Sequence, residues 1–514
     1  MAQGTGPDHC SEKPKEEELR ESVELEHAGE PLKKHGEATP ITSAFADWSR
    51  AAVIKKFWRL NITGLSVSLA CPKHYAAMGF VYPSMIISGK GHKTLAELHK
   101  KYGPVVRLGP DTIDWADPRA FKDLLGQSSG VENYKDPTFT TRNSYGIVYA
   151  GQEDHARIRR VLAPGFSGQH LVKQEPLIQK YFDLLIQRLH ENCEDGKKAL
   201  NMVSWYNYTT FDIIGDLAFG EPFGCLEKSD FHPWVSSMFG NLLAKIYKNQ
   251  LEQFWITRPF TDWLIPKKLK EKEKLHRMFS KDKIERRMAS GESRPDFIQF
   301  MMEKDGALAM SKPEIEGTAD SFIIGGSDTT GTSLSGATFF LTTHPDAMAK
   351  LVEEVRSSFS SEQEINIASV QKLRYLQAVL NESMRLYPVL PLGYTRIIKP
   401  GGDYICERYV PEGWPMYRND KYFAQPDEFI PERFLDDPRF KDDDTSAIHA
   451  FGYGPRNCIG RNLAMSEMRV ILARVIWNFD LQITDNSRNW MEQKLYTLWK
   501  KGPLHVHLTP RKQG

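Results

Sequence analysis

The stretch Phe451-Gly-Tyr-Gly-Pro-Arg-Asn-Cys458-Ile-Gly460 delivers one cysteine to the start of an amphipathic helical pattern that runs from Asn462 to Phe479. A helix N-terminus supplies positive potential and unpaired N–H groups, which lower a thiol pKa and can hydrogen-bond the sulfur. The loop therefore reads as a thiolate station. Gly452 and Gly454 let the backbone turn tightly beside a flat ligand, Gly460 leaves the next turn free of a side chain, and Arg456 can pair with a carboxylate. Read alone, one cysteine is more often inert and buried, because free cysteine is among the most buried residue types. Five fixed residues of the form FxxGxRxCxG, however, arise by chance in only roughly 1 in 10⁴ chains of this length and composition, which favours the functional reading.

Outward from the loop, composition sets the limits. The chain has 514 residues, 67 Lys and Arg against 66 Asp and Glu, and a net charge of +1, so nothing global attracts nucleic acid. The six cysteines, at 10, 71, 193, 225, 406 and 458, contain no CxxC pair, which argues against a disulfide framework or a structural zinc site. With 40% hydrophobic and 26% charged residues, a polytopic membrane protein is excluded.

Residues 1–50 are polar and charge-dense and read as a disordered tail without a secretory signal. Residues 51–89 form an apolar segment that contacts a membrane or packs. Lys73 and His74 divide it, while Gly64, Pro72, Gly79 and Pro83 interrupt a continuous helix, so peripheral contact is expected rather than a span. Sequons at Asn61 and Asn207 would matter only in a lumenal protein. Residues 90–514 read as one domain. Val106, Leu108, Ile113 and Trp115 alternate around Gly109-Pro110-Asp111 as a hairpin, and Leu504, Val506 and Leu508 mark a terminal strand. Lys350 to Phe359, Leu373 to Tyr387 and Asn462 to Phe479 show helical periodicity. The fold class is mostly α with small β-sheets.

Four further stretches carry polar chemistry. Glu382 and Arg385 lie three apart on one helix face and can pair, although such a pair is usually a solvated surface feature. Arg433 follows in Pro431-Glu-Arg433-Phe434. Ser321 to His344 reads as one long apolar helix closed by Pro345, and it contains Gly325-Gly326-Ser327-Asp328-Thr329-Thr330. A small-residue packing face with hydroxyls bonded back to carbonyls is the bland explanation. Finally, His155-Ala-Arg157-Ile-Arg159-Arg160 would by itself be an ordinary basic helix surface.

Together and in this order, these stretches resemble the cytochrome P-450 family of haem-thiolate monooxygenases, over about residues 90 to 510. The resemblance implies the cytochrome P-450 fold, with haem b held through Cys458 as the axial iron ligand. Phe451, Gly452, Arg456 and Gly460 would belong to the haem-binding loop. His155 stands where the family has Trp, and with Arg159 it would bind the haem propionates. Glu382, Arg385 and Arg433 would form a buried structural cluster, and Thr329 and Asp328 would deliver protons for oxygen cleavage. Arg157 and Arg160 would point toward an electron donor. Pocket residues would lie near Asn143 to Val148, Val389 to Leu392 and Leu498.

One departure concerns Val410-Pro-Glu-Gly413, where the chain is about eight residues short of the family's strand and turn and has Trp414-Pro415-Met416-Tyr417-Arg418 instead. Either a sheet edge is trimmed or a splice junction is mis-assigned. No Walker loop or GxGxxG unit supplies a second cofactor. The resemblance therefore implies NADPH-cytochrome P-450 reductase as electron donor, with cytochrome b5 as a second, on the cytoplasmic side of the endoplasmic reticulum or in the cytosol. Phe211 to Leu226 resembles the filamentous-fungal branch that oxidises terpenoid and polyketide metabolites. The expected reaction is insertion of one oxygen atom of O2 into a small hydrophobic substrate. The alternatives are a haem-thiolate isomerase or dehydratase, and a catalytically dead haem binder.

Overall fold

Alternating apolar residues on either side of Gly109-Pro110-Asp111 form the expected hairpin. In the computed structural model, which describes residues 72, 75, 79–109, 111–126, 130–135, 145–252, 267–303, 306–391, 395–410, 416–418 and 423–512, β1 (Val105–Gly109) runs antiparallel to β2 (Thr112–Trp115). Val106 lies opposite Asp114 and Arg107 opposite Ile113. The tail over 1–50, most of the 51–89 segment, Asn61, Asn143, Leu392 and Trp414 lie outside the described residues. Both strands are buried along their whole length rather than on one face. Some of their polar groups are paired internally: Asp114 Oδ2 meets His99 Nε2 at 2.8 Å, and Arg107 Nε donates to the Gly109 carbonyl at 3.0 Å, whereas Asp114 Oδ1 and Trp115 Nε1 are buried without a partner.

The outer edge of β2 has a partner. Met416–Arg418 lies parallel to it, with Ile113 opposite Met416 and Trp115 opposite Arg418. The sheet edge expected to be trimmed is thus filled over three residues, within the short stretch itself. The last part of the apolar segment, Val81–Ser88, is a helix whose Val81, Tyr82, Met85 and Ile86 pack with Leu108 and Leu495. Pro83 lies in its first turn, where a missing N–H breaks no ladder bond.

The helices that position the site are α1 (Gln152–Leu162), α2 (Gly168–Asn192), α3 (Met202–Phe219), α4 (Lys312–Gly326), α5 (Asp328–Thr343), α6 (Pro345–Ser358), α7 (Arg374–Leu386) and α8 (Arg461–Asn478). α3 is buried all round and packs on α2, α4 and α5, as a helix apolar on every face must. Its Asn207 is 2% exposed and donates to the Val203 carbonyl at 2.9 Å, so that sequon belongs to the interior. α8 also differs from its sequence pattern. Instead of an amphipathic face it buries nearly every residue from Leu463 onward, including Glu467 and Arg474.

The long apolar helix expected over Ser321 to His344 is two helices, α4 and α5, and it starts earlier, at a capping box formed by Ser311 and Glu314. The break falls at Ser327, with φ −99° and ψ −72°. Its cause is local: Ser327 Oγ bonds back to the Ile323 carbonyl and Thr329 Oγ1 to that of Gly325 at 2.6 Å. Such back-bonding bends helices, and Gly325-Gly326 offers little resistance.

At the C-terminus, β9 (His505–Pro510) is the central strand between β4 (Ala199–Asn201) and β6 (Phe479–Ile483), all antiparallel. Leu504, Val506 and Leu508 are fully buried, as their alternation predicts. Just before it, β7 (Lys494–Leu495) pairs with β8 (Trp499–Lys500) in a short hairpin.

Candidate active site

The cysteine loop is closed by its own backbone. The Cys458 N–H donates to the Phe451 carbonyl at 2.8 Å, and that of Asn457 to Gly454 at 3.0 Å. Gly452 and Gly454 have φ of +73° and +71°, and a Cβ on Gly454 would stand 2.0 Å from the Leu125 carbonyl oxygen. Conformation and space therefore both require glycine at 454. Gly460 differs, because a Cβ there would meet Cys458 Sγ and Phe166 only at 3.9 Å.

Burial raises the Cys458 pKa, and the Gly460 N–H, Arg159 and Arg461 only partly offset it. This corrects the expectation of a thiol activated by the helix start alone: desolvation of a thiolate outweighs the end of one helix. Coordination to a metal ion removes that proton outright. Cys458 also keeps accessible surface. Gly325 presents open space, with no atom within 4 Å of where a Cβ would be.

Beside the loop lies a cluster of cations. Arg456 Nε donates to Glu132 Oε2 at 2.7 Å and Nη2 to the Ala150 carbonyl at 3.0 Å, while its Nη1 is buried without a partner. Arg159 Nη1 donates to the Asn457 carbonyl at 2.7 Å, which ties α1 to the cysteine loop. Lys135 and Arg396 stand opposite one another on the paired strands β3 (Tyr134–Lys135) and β5 (Arg396–Ile397). Burial, then Arg456 and Arg396, push the Lys135 pKa down to about 7. Burial, then Arg456, Lys135 and Arg159, push that of His155 down to about 4, so its ring is neutral at physiological pH.

Lys135, Arg396 and Arg456 thus act on one carboxylate, Glu132, with Arg159 bound to the cysteine loop, and the orphaned Arg456 Nη1 still lacks an acceptor. A flat dianion beside Cys458 would supply what the cluster lacks. The residues present therefore fit a haem with its two propionates. Lys135, Arg396 and Glu132 carry no motif, and only the pairing of two two-residue strands brings them here. Arg157 is held by its own chain. It is tied to the Ala309 carbonyl at 2.8 Å and to Glu314 at the start of α4, and only Arg160 remains exposed.

On α5, Asp328 is 3% exposed and its Oδ1 lies 2.5 Å from Lys501 Nζ, which also donates to Thr332 Oγ1 at 2.5 Å. Thr329 instead bonds the Gly325 carbonyl across the break. Among the described residues no hydrogen bond joins the Asp328 and Thr329 side chains, although they are adjacent in sequence.

The sequence signature of the family described as Cytochrome P450 matches residues 77–507. The chain belongs to the cytochrome P450 family. It is 42% identical over 440 residues to "Trichothecene C-15 hydroxylase" of Fusarium sporotrichioides, covering 83% of this chain and 89% of that protein. It is likewise 42% identical to "Averantin hydroxylase" of Dothistroma septosporum, covering 86% of each chain. "Cytochrome P450 monooxygenase astA" of Talaromyces wortmannii is 42% identical over 426 residues, covering 80% of this chain and 86% of its own length. This cytochrome P450 is accordingly a monooxygenase, and haem is its cofactor.

The structure of the P450 brings Glu382, Arg385 and Arg433 together. Glu382 Oε2 accepts from Arg385 Nε at 2.7 Å, and its Oε1 accepts from Arg385 Nη2 at 2.9 Å, Ile430 N at 2.9 Å and Arg433 Nε at 3.3 Å. Arg433 also pairs with Asp443, and Arg385 donates to the Pro426 and Glu428 carbonyls at 2.6 and 2.9 Å. α7 is thereby fastened to the segment that leads into the cysteine loop. Among the expected pocket residues, Val389, Leu390 and Leu498 are half-buried and Val148 is exposed.

One buried carboxyl was not legible in the sequence. Glu467 of α8 is 2% exposed, and burial, only partly opposed by the Thr330 hydroxyl, pushes its pKa up to about 8. Between the ordinary 4.5 and about 8 the folded chain holds a proton there that the unfolded chain has released, so this group makes stability fall as pH rises through that window. Glu467→Gln removes the effect. At pH 8 the variant should be more stable than wild type by roughly 3 to 5 kcal/mol, and at pH 4.5 equal to it. Thermal melts of both proteins across pH check this, and parallel pH profiles would refute it.

Proposed function

We propose that residues 90–514 form a haem domain in which Cys458 ligates the iron of haem b and the cations around Glu132 hold its propionates. The observation that carries this reading is the accessible Cys458 beside the buried, partnerless Nη1 of Arg456, with Lys135, Arg159 and Arg396 as further cations and a neutral His155 among them. When bound, thiolate-ligated haem supplies activation of O2 for insertion of one oxygen atom into a C–H or C=C bond. The protein's own part is to bind the substrate, exclude water and deliver protons. Thr329 presents a hydroxyl at the helix break, and Asp328 holds a carboxylate one residue before it. Together they supply the protons that the reduction of oxygen consumes.

Relatives named for hydroxylating a trichothecene and averantin support a small hydrophobic secondary metabolite as substrate, in a filamentous-fungal biosynthetic pathway. Electrons come from NADPH-cytochrome P-450 reductase, with cytochrome b5 as a second donor. Contact with the endoplasmic reticulum is peripheral on this reading; among the described residues no helix is long and apolar enough to cross a membrane.

The test removes the proton path while leaving haem in place. Thr329→Ala and Asp328→Asn should each bind haem normally and consume NADPH, yet yield several-fold less product and correspondingly more hydrogen peroxide. Product, NADPH and peroxide are measured in the same reaction. Wild-type coupling in both variants would refute the assignment.

A further inference from the structure

The residue after the β7–β8 hairpin, Lys501, reaches into the core. Its side chain is 6% exposed, and its Nζ lies 2.5 Å from both Asp328 Oδ1 and Thr332 Oγ1, one turn apart on α5. Tyr387 faces the same carboxylate. Its pKa is raised by burial and then by Asp328, and its hydroxyl donates to Gln493 Oε1 at 2.8 Å. On the other side, Lys501 lines a solvent-open depression of about 480 Å³ together with Trp490, Glu492, Gln493, Lys494 and His505. One ammonium thus bridges a solvent-open surface hollow and the buried carboxylate beside Thr329.

We propose that Lys501 is the positioning residue for Asp328 and the relay through which Asp328 regains protons from water in the C-terminal depression. This rests on the reading of Asp328 as a proton-delivery residue. Two physical arguments support it. A carboxylate as buried as Asp328 stays charged only with a partner, and Lys501 is the ammonium in contact with it. A lysine, unlike an arginine, can also give up a proton in a desolvated site. The step balances: the N–H bond of the Lys501 ammonium breaks as an O–H bond forms on Asp328, which passes that proton on toward Thr329, and the resulting amine takes a proton from a water molecule in the depression, whose hydroxide leaves to bulk solvent. No electron moves, and Lys501 ends each cycle as an ammonium.

The test uses the haem-loaded full chain with its reductase and compares Lys501→Met, Lys501→Arg, Asp328→Asn and the double variant D328N/K501M. Lys501→Met should lower product formed per NADPH by about five- to tenfold, raise peroxide, and enlarge the solvent isotope effect on coupled turnover. Lys501→Arg keeps the charge but not the ready proton, so it should restore haem content and thermal midpoint while coupling recovers only in part. If Lys501 acts through Asp328, the double variant couples no worse than Asp328→Asn alone, and removal of both charges returns its thermal midpoint toward wild type. That comparison decides the matter even if Lys501→Met does not hold haem. Additive losses in the double variant, or Lys501→Met coupling within twofold of wild type with an unchanged isotope effect, would overturn the proposal. With Asp328→Asn uncoupled, that result removes Lys501 alone; normal coupling in Asp328→Asn removes both.

Discussion

Cys458→Ser is expected to yield a folded chain with no monooxygenase activity and without the carbonyl spectrum of a thiolate-ligated haem. The loop around residue 458 is held by backbone bonds from Cys458 N to Phe451 and from Asn457 N to Gly454, neither of which uses the sulfur. The fold should therefore survive the exchange. The function should not, since an alcohol cannot provide the electron donation of a thiolate. The loss should exceed three orders of magnitude in turnover, on the order of 4 kcal/mol or more in activation free energy. The carbon monoxide difference spectrum of the reduced variant, read beside its circular dichroism, checks it. Unchanged turnover would end the assignment of Cys458 as ligand. Cys193 and Cys225, both buried among apolar side chains, should tolerate Ser with activity intact.

Glu382→Ala should cost most in stability. It removes the acceptor shared by Arg385 and Arg433, whose side chains are 6% and 0% exposed. It also orphans the Ile430 N–H. Breaking one side of a buried ionic cluster costs about 3 to 5 kcal/mol, a large part of the roughly 5 to 15 kcal/mol that holds a domain folded. Arg433 keeps Asp443, so the larger share of the penalty falls on Arg385. Because the cluster fastens α7 to the segment leading into the cysteine loop, haem content should fall along with the thermal midpoint. A variant that melts within 1 °C of wild type and holds full haem would show that the cluster is dispensable.

Glu382 and Arg385 illustrate what could be read without coordinates. Their spacing of three places them on one helix face, but whether that face meets solvent or core is a property of the surroundings. The resemblance supplied Arg433, and the structure shows all three buried together. The apolar run from Ser321 was legible as a helix, whereas its break at Ser327 was not. That break depends on two hydroxyls choosing backbone carbonyls over solvent.

The sequence by itself determined the elements whose cause is local. These are the hairpin at Gly109, the end of α5 before Pro345, the terminal strand through Val506, and a loop whose glycines and cysteine are fixed by backbone conformation and thiol chemistry. Tertiary structure alone decided the electrostatics of the site. Lys135 meets Arg396 only because two short strands pair, and Asp328 meets Lys501 only because a hairpin some 170 residues later enters the core. Both are long-range placements, and a charge's consequence follows its burial and its neighbours in space. The same physics reversed the expected direction for the Cys458 thiol. The favourable helix start is local, but the desolvation that outweighs it comes from the whole fold closing around the loop.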